Sequence, residues 1–300
     1  MKEKAFEAKL CGVRDVKFPL VKAAFKGKDG NLYVGMMLID TGSVDCILNK
    51  SVLQLVDDSI VKEGKVKNIY SMNSAKNICQ EVEFEFKMGN EVFSDTFYVN
   101  DSMDFNHMFE SFIGIIGFRF LIKHKLTLDY STETLHTSND INEQTFDYEF
   151  FFPMEFGIEQ YNIPVVGLIS NDKEFVMVAD SGANNTILTE HVLKEAGISV
   201  ETNDEKGSVT GFNGNEVTTE IGKVNLSLLS LGGTADKPKI CNFKDSIQVV
   251  NQHKYLMDNL KTSKGEPLLP ISGLLSSSFM QKHKWILDFK HGVIYSLKIA

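Results

Sequence analysis

Hydrophobic and polar residues alternate over much of this chain, a pattern typical of β-strands that bury one face. In the first half the pattern is clearest in VKFPLVKAAF, NLYVGMMLI, EVEFEFKM and EVFSDTFYV, with Lys-Asp-Gly-Asn and Gly-Asn as turn sequences between strands. In the second half it recurs in IPVVGLI, FVMVA, EVTTEIGKVNLSLLSL and WILDF. The pattern therefore predicts a mainly β fold.

A few short helices interrupt this pattern. They are predicted at residues 50–56, 118–124, 189–196 and 277–283. The third has the clearest limits, because Thr189 suits an N-cap and Gly197 suits the residue that ends a helix.

One sequence motif occurs twice. Asp40-Thr41-Gly42-Ser43 recurs as Asp180-Ser181-Gly182-Ala183, and an apolar run precedes each copy. The copies are offset by 180 − 40 = 140 residues. Further on, GIIGFRFLIKHKLTLDY, which starts at Gly114, matches GLLSSSFMQKHKWILDF, which starts at Gly273, so the offset has become 273 − 114 = 159. The second copy thus contains 159 − 140 = 19 additional residues, which we assign to residues 231–270.

An internal duplication of this length predicts two homologous lobes. We expect a first lobe at residues 1–140, a connection at 141–159 and a second lobe at 160–300. A pseudo-twofold axis would relate two β-barrel lobes and bring both motifs to a cleft between them. The expected state is a monomer with an internal pseudo-dimer.

Composition and charge exclude several classes of function. The formal net charge of −9 argues against nucleic acid as a partner. No apolar run approaches the roughly 18 residues of a membrane span, and no secretion signal is visible, so we expect a cytoplasmic protein without a membrane partner. The four cysteines are scattered and no H-E-x-x-H pattern occurs, so we expect neither a metal nor another cofactor.

These features together resemble the retropepsin-like (clan AA) aspartic peptidases, in a single-chain tandem form. The resemblance rests on the two Asp-Thr/Ser-Gly loops, a hairpin about thirty residues after each, and the later Ile115-Ile116-Gly117 step into a helix. It implies an aspartic endopeptidase that hydrolyses a polypeptide substrate. The open alternative is an inactive pseudo-peptidase that binds peptides or serves a structural role.

The resemblance also implies roles for individual residues. Asp40 and Asp180 would form the catalytic dyad, sharing one proton because two adjacent carboxylates cannot both ionise at neutral pH; this dyad is itself a standard example of that effect. The loops would be supported by residues next to the dyad, which are Thr41, Gly42, Ser43, Ser181, Gly182 and Ala183. Substrate contacts or flaps would involve Asp45, Asn185, Tyr70, Met72, Asn73, Gly211, Phe212, Asn213 and Gly214.

Two positions depart from the family pattern. Ser276 follows Leu274-Leu275 where the family has glycine, and the first flap sequence lacks the glycines of the second. Asp45 and Asn185 have an equally good interpretation as polar residues at a helix entry.

The dyad is also expected to be asymmetric, because Ser43 carries a hydroxyl and Ala183 does not. If that hydroxyl donates a hydrogen bond to Asp40, this carboxyl is the preferred anion and Asp180 the preferred proton carrier. If Ser43 faces elsewhere, the proton is shared evenly.

Overall fold

A computed structural model describes the chain over ten segments. They are residues 5–12, 17–70, 76–99, 111–137, 146–151, 163–210, 216–234, 237–251, 254–258 and 267–297. The fold is mainly β with a few short helices, which confirms the predicted fold class.

The strands and helices follow one another in an order that repeats. The first set is β1 (Glu7–Cys11), β2 (Leu20–Lys26), β3 (Leu32–Asp40), β4 (Cys46–Leu48), α1 (Lys50–Leu53), β5 (Val61–Tyr70), β6 (Lys76–Met88), β7 (Glu91–Val99), β8 (Phe112–Gly117), α2 (Phe118–Lys123), β9 (Leu126–Asp129) and β10 (Thr134–Thr137). The second set is β11 (Phe146–Phe151), β12 (Val165–Ser170), β13 (Lys173–Asp180), β14 (Thr186–Thr189), α3 (Glu190–Ala196), β15 (Glu201–Thr210), β16 (Glu216–Thr234), β17 (Lys237–Val250), β18 (Ile271–Ser276), α4 (Ser277–Lys282), β19 (Trp285–Asp288) and β20 (Val293–Leu297).

Each half builds one sheet with the same strand order. The first half has the order β2-β3-β8-β4-β7-β6-β5, and the second has β12-β13-β18-β14-β17-β16-β15. In both halves, the strand that ends in the aspartate of the repeated motif runs parallel to the strand that precedes the next helix, β3 with β8 and β13 with β18. The duplicated sequence therefore folds into two matching sheets.

Six further strands form a sheet that joins the halves, in the order β11-β20-β19-β9-β10-β1. Its centre is the antiparallel pairing of β9 with β19, in which Leu128 lies opposite Leu287. β11 lies within the predicted connection at 141–159 and pairs with β20. The predicted domain limits stay a prediction, although this strand pairs with the second half.

The helices agree with the sequence patterns. In α3 the Thr189 side chain accepts a hydrogen bond from the Val192 N–H, and Gly197 ends the helix in the left-handed conformation with φ 62°. α2 and α4 lie at the predicted places, whereas α1 ends at Leu53, three residues short of its predicted limit.

The strand register also locates the 19 extra residues. Phe97 pairs with Cys46 and Ile247 with Thr186, so the offset at the end of the long hairpin is 247 − 97 = 150. Ten of the residues therefore lengthen the β16–β17 hairpin, and the remaining 159 − 150 = 9 follow β17.

Aromatic and aliphatic side chains fill the core. The largest buried side chains include Trp285, Phe84, Phe86, Phe97 and Phe279. Among the described cysteines, Cys11, Cys46 and Cys79 are free thiols. Within the described segments, the structure contains no helix with the length and apolar character needed to span a membrane.

Candidate active site

The two aspartates lie at the ends of buried strands. Asp40 is the last residue of β3 and lies opposite Gly117 of β8, while Asp180 is the last residue of β13 and lies opposite Ser276 of β18. Residues 36–39 and 175–179 are largely buried, so each strand fixes the position of its terminal carboxyl group.

Crossed hydrogen bonds tie the two loops together. The Thr41 N–H donates to Ser181 Oγ, and the Ser181 N–H donates to Thr41 Oγ1, both at 2.9 Å. In turn, Thr41 Oγ1 donates to the Ala179 carbonyl at 2.5 Å and Ser181 Oγ donates to the Ile39 carbonyl at 2.6 Å. Both hydroxyl residues are fully buried, so these four bonds hold each loop against the other in a low-dielectric interior.

The glycine after each hydroxyl residue allows the loops to approach. A Cβ atom at Gly42 would lie 2.5 Å from the Asp180 Cγ, and one at Gly182 would lie 2.5 Å from each carboxylate oxygen of Asp40. Any side chain at either position would collide with the opposite carboxyl group. The glycines are therefore required by close packing between the loops.

The carboxyl groups of Asp40 and Asp180 hydrogen-bond to each other. Asp40 Oδ1 accepts the Gly42 N–H at 2.9 Å and the Ser43 N–H at 3.1 Å, while Asp180 Oδ1 accepts the Gly182 N–H at 2.9 Å. Burial raises the pKa of both carboxyls, and the charge of Asp40 raises the pKa of Asp180 further. The pair therefore retains one proton as the pH rises through the usual carboxyl range.

Of the two directions that the sequence left open for the Ser43 hydroxyl, the structure has the one away from Asp40. Ser43 Oγ donates instead to the Asp45 carbonyl oxygen at 2.8 Å. The loop turns toward the helix entry at this point, which directs the hydroxyl away from the dyad. Only the Ser43 backbone N–H reaches Asp40.

Ser276, which replaces the family's glycine, lies beside Thr186, and this threonine is itself a difference from the first half. Thr186 Oγ1 lies 3.3 Å from Ser276 Oγ, accepts the Ser276 N–H at 3.4 Å and donates to Asp245 at 3.0 Å. At the corresponding place in the first half, the Gly117 N–H donates to the Cys46 thiol at 3.4 Å. The Ser276 hydroxyl is also used at the start of α4, where it accepts the Phe279 N–H at 3.1 Å.

A second pair of corresponding positions also differs between the two halves. Tyr130 and Ser277 form a buried hydrogen bond of 2.9 Å between the halves. Their equivalents at the 159-residue offset, Phe289 and Phe118, form an edge-to-face ring contact with centroids 5.7 Å apart. The pair that contains Ser277, next to Ser276, is thus polar, whereas the pair that contains Phe118, next to Gly117, is apolar. Comparing the copies position by position would have found this difference.

The paired positions Asp45 and Asn185 differ in environment. Asp45 forms ion pairs with Lys67 at 2.6 Å and with Arg119 at 3.2 Å. Asn185 is exposed. The sequence interpretation did not include the two cations, because neither belongs to a recognisable motif.

The predicted flap residues fall mostly beyond the described segments. Tyr70 ends β5, and its side chain is not among those described. The remaining flap predictions lie outside the described residues, and these are Met72, Asn73, Gly211, Phe212, Asn213 and Gly214.

The two matching β sheets, whose Asp-Thr/Ser-Gly loops meet through crossed hydroxyl bonds, agree with the resemblance to the retropepsin-like aspartic peptidases. The family model described as "Aspartyl protease" matches residues 165–256, which include the Asp180 loop. No curated protein matches the chain. The match to the family model covers part of the second half and supports the resemblance to the retropepsin-like aspartic peptidases.

Proposed function

We propose that this protein is an aspartic endopeptidase in a single-chain tandem form, with Asp40 and Asp180 as its catalytic dyad. The observation that carries the proposal is the mutual approach of the two loops, in which each glycine admits the opposite carboxyl group. An Asp-Thr-Gly sequence that served only as a turn would not require a second loop to pack this closely against its glycine.

The hydrolysis would follow general acid–base chemistry. The ionised carboxyl accepts a proton from a water molecule, whose oxygen adds to the carbonyl carbon of the substrate. The protonated carboxyl donates its proton to the carbonyl oxygen. Collapse of the tetrahedral intermediate then breaks the C–N bond, and the leaving nitrogen takes a proton from the dyad. The retained proton of the pair supplies the acid, and its partner supplies the base.

The substrate would be an extended polypeptide that adds its backbone to strand edges near the dyad, as peptides commonly do when bound to β proteins. β5–β6 and β15–β16 are the hairpins that follow the two catalytic loops at equal distances.

Asparagine substitutions at the dyad provide the test. Asp40→Asn or Asp180→Asn alone should lower cleavage of an unstructured protein by at least about a hundredfold, because the dyad then lacks either its base or its acid. Thermal melting of each variant would show whether the fold is retained, and pepstatin should inhibit the wild-type protein.

The matched control is Asp172→Asn, which makes the same chemical change in an exposed turn where asparagine tolerates the positive φ of 58°. Wild-type cleavage by either dyad variant would refute the proposal. A folded wild-type protein that binds peptides without cleaving any of them would favour the pseudo-peptidase alternative.

A further inference from the structure

A pocket of about 400 Å³ lies beside the first catalytic loop. Asp45 and Cys46, which follow that loop, form one side, while Tyr98, Arg119, Phe120 and Lys123 form much of the rest. This volume falls in the range of pockets that hold small ligands and is ample for one amino-acid side chain. The pocket lining is bonded directly to this loop, because the Phe118 and Arg119 N–H groups donate to the Ser43 and Val44 carbonyls at 2.7 and 3.1 Å.

Arg119 is the residue best placed to bind a ligand in this pocket. Its side chain is 58% exposed, whereas that of its ion-pair partner Asp45 is 11% exposed. Within the described part of the chain, its guanidinium makes one hydrogen bond, from Nη1 to Asp45 Oδ1. The remaining N–H donors are oriented as a planar fork that matches a carboxylate.

The charges around Asp45 leave an excess of one positive charge. Two cations, Lys67 and Arg119, converge on this single carboxylate. Lys67 also lies over the Tyr98 ring, with its Nζ 4.9 Å from the ring centroid, so its position is fixed on two sides.

The other acidic groups of the pocket are each neutralised by their own cation. Glu81 pairs with Lys65 at 3.4 Å. Asp95 pairs with Lys123 at 2.9 Å and also faces His124 at 3.3 Å. A carboxylate entering the pocket would meet the unshared donors of Arg119, and the nearby negative charge without an ion pair among the described residues is Glu83, which accepts the Thr96 hydroxyl at 2.9 Å.

The second half has no equivalent of this cationic arrangement. At the 140-residue offset, Lys67 corresponds to Gly207, and at the 159-residue offset Arg119 corresponds to Ser278. The Ser278 hydroxyl donates to the Asn184 carbonyl at 2.7 Å and so supports its own loop. The two half-sites thus differ in charge, although their backbones match.

We propose that the pocket beside the first catalytic loop binds an acidic side chain of the substrate, with Arg119 as the residue that determines this specificity. The inference rests on the proposed function, since it takes a peptide at the dyad as its starting point. Because only one half-site carries the cation, the contact between Arg119 and the acidic side chain also fixes the direction in which the peptide lies across the two halves. Asp45 then acts as the anchor that orients Arg119 and Lys67.

The experiment measures peptide capture without hydrolysis. The Asp180→Asn protein is incubated with a pool of unstructured peptides randomised at each position, and the retained peptides are sequenced. We expect Asp and Glu to be enriched at one position. Arg119→Ser, which introduces the residue of the second half, should reduce this enrichment about tenfold, the usual effect of removing one charge-assisted pair. Arg119→Lys should reduce it less.

Lys125→Asn is the matched control, because it removes an exposed positive charge just after α2, where asparagine tolerates the φ of 50°. It should leave the enrichment unchanged. Equal acid enrichment with and without Arg119, or no enrichment of acidic residues at any position, would overturn the inference.

Cleavage of the same pool by the wild-type protein separates the two proposals. Hydrolysis without acid preference would refute the specificity and leave the endopeptidase proposal intact. Acid-selective capture without hydrolysis in the wild type would support the pocket and refute the catalytic activity.

Discussion

His283 lies at the end of α4 with its side chain buried among aromatic rings. It is 6% exposed, and among the described residues neither ring nitrogen has a hydrogen-bond partner. The rings of Phe243 and Phe279 lie with centroids 4.6 and 4.5 Å from its own. Burial, aided by the charge of Lys282 and opposed by that of Asp245, lowers the pKa of His283 from 6.5 to about 4.

This lowered pKa makes folding stability depend on pH. In the unfolded chain the imidazole takes up a proton near pH 6.5, but in the folded chain it stays neutral until about pH 4. The unfolded state therefore binds more protons between these values, and stability falls as the pH drops through this window. At about 1.4 kcal/mol for each pH unit, the full effect is about 3 kcal/mol. Solvent near the half-exposed Lys282 screens part of it, so we expect about 1.5 kcal/mol.

The measurement is urea unfolding of the wild type and of His283→Phe at pH 7.5, 6, 5 and about 4. Phenylalanine cannot titrate, so the variant should lose about 1.5 kcal/mol less stability than the wild type across this range. Contributions from the dyad occur in both proteins and cancel in the difference. His283→Leu, which likewise cannot titrate, controls for the effect of the added aromatic ring and should show the same pH slope as His283→Phe. The same pH slope for His283→Phe and the wild type would refute the reasoning.

Three further predictions concern the two Asp-Thr/Ser-Gly loops. Gly42→Ala should lower hydrolysis by about a hundredfold in a peptide-cleavage assay, because its Cβ would displace the Asp180 carboxyl; near-normal turnover would contradict the close approach. Ser43→Ala should leave the acid limb of the pH–rate profile in place, since the hydroxyl serves Asp45, and an upward shift of that limb would disprove this. Ser181→Ala should reduce the free energy of unfolding by about 2–4 kcal/mol in urea titrations, because the buried Thr41 N–H and Ile39 carbonyl lose their partner. Ser181→Thr, which keeps the hydroxyl, should retain most of the wild-type stability.

The sequence predicted those parts of the molecule that depend on local pattern or on the duplication. The helix from Thr189 to Gly197 followed from its two caps, and the pairing of Asp40 with Asp180 followed from matched positions in the repeat. Both rest on regularities that are visible along the chain.

Features that depend on side-chain direction could not be predicted in this way. The orientation of the Ser43 hydroxyl is set by the local turn, and its sequence alone allowed two directions. His283 lies in a Lys-His-Lys segment at the end of α4, a pattern typical of a solvated helix end. Its ring is nevertheless buried, because β17 brings Phe243 and α4 itself brings Phe279 against it.

Each half contributes three strands to the six-stranded sheet. Among the described strands, the two halves pair with each other through β9 and β19. Two fragments cut between β10 and β11 would each keep all their other strand pairings but would expose one unsatisfied edge. Such an edge can be satisfied by the complementary fragment or by a second copy of the same one. The fragments should therefore reassemble when mixed, and either one alone should form a homodimer through its exposed β9 or β19 edge.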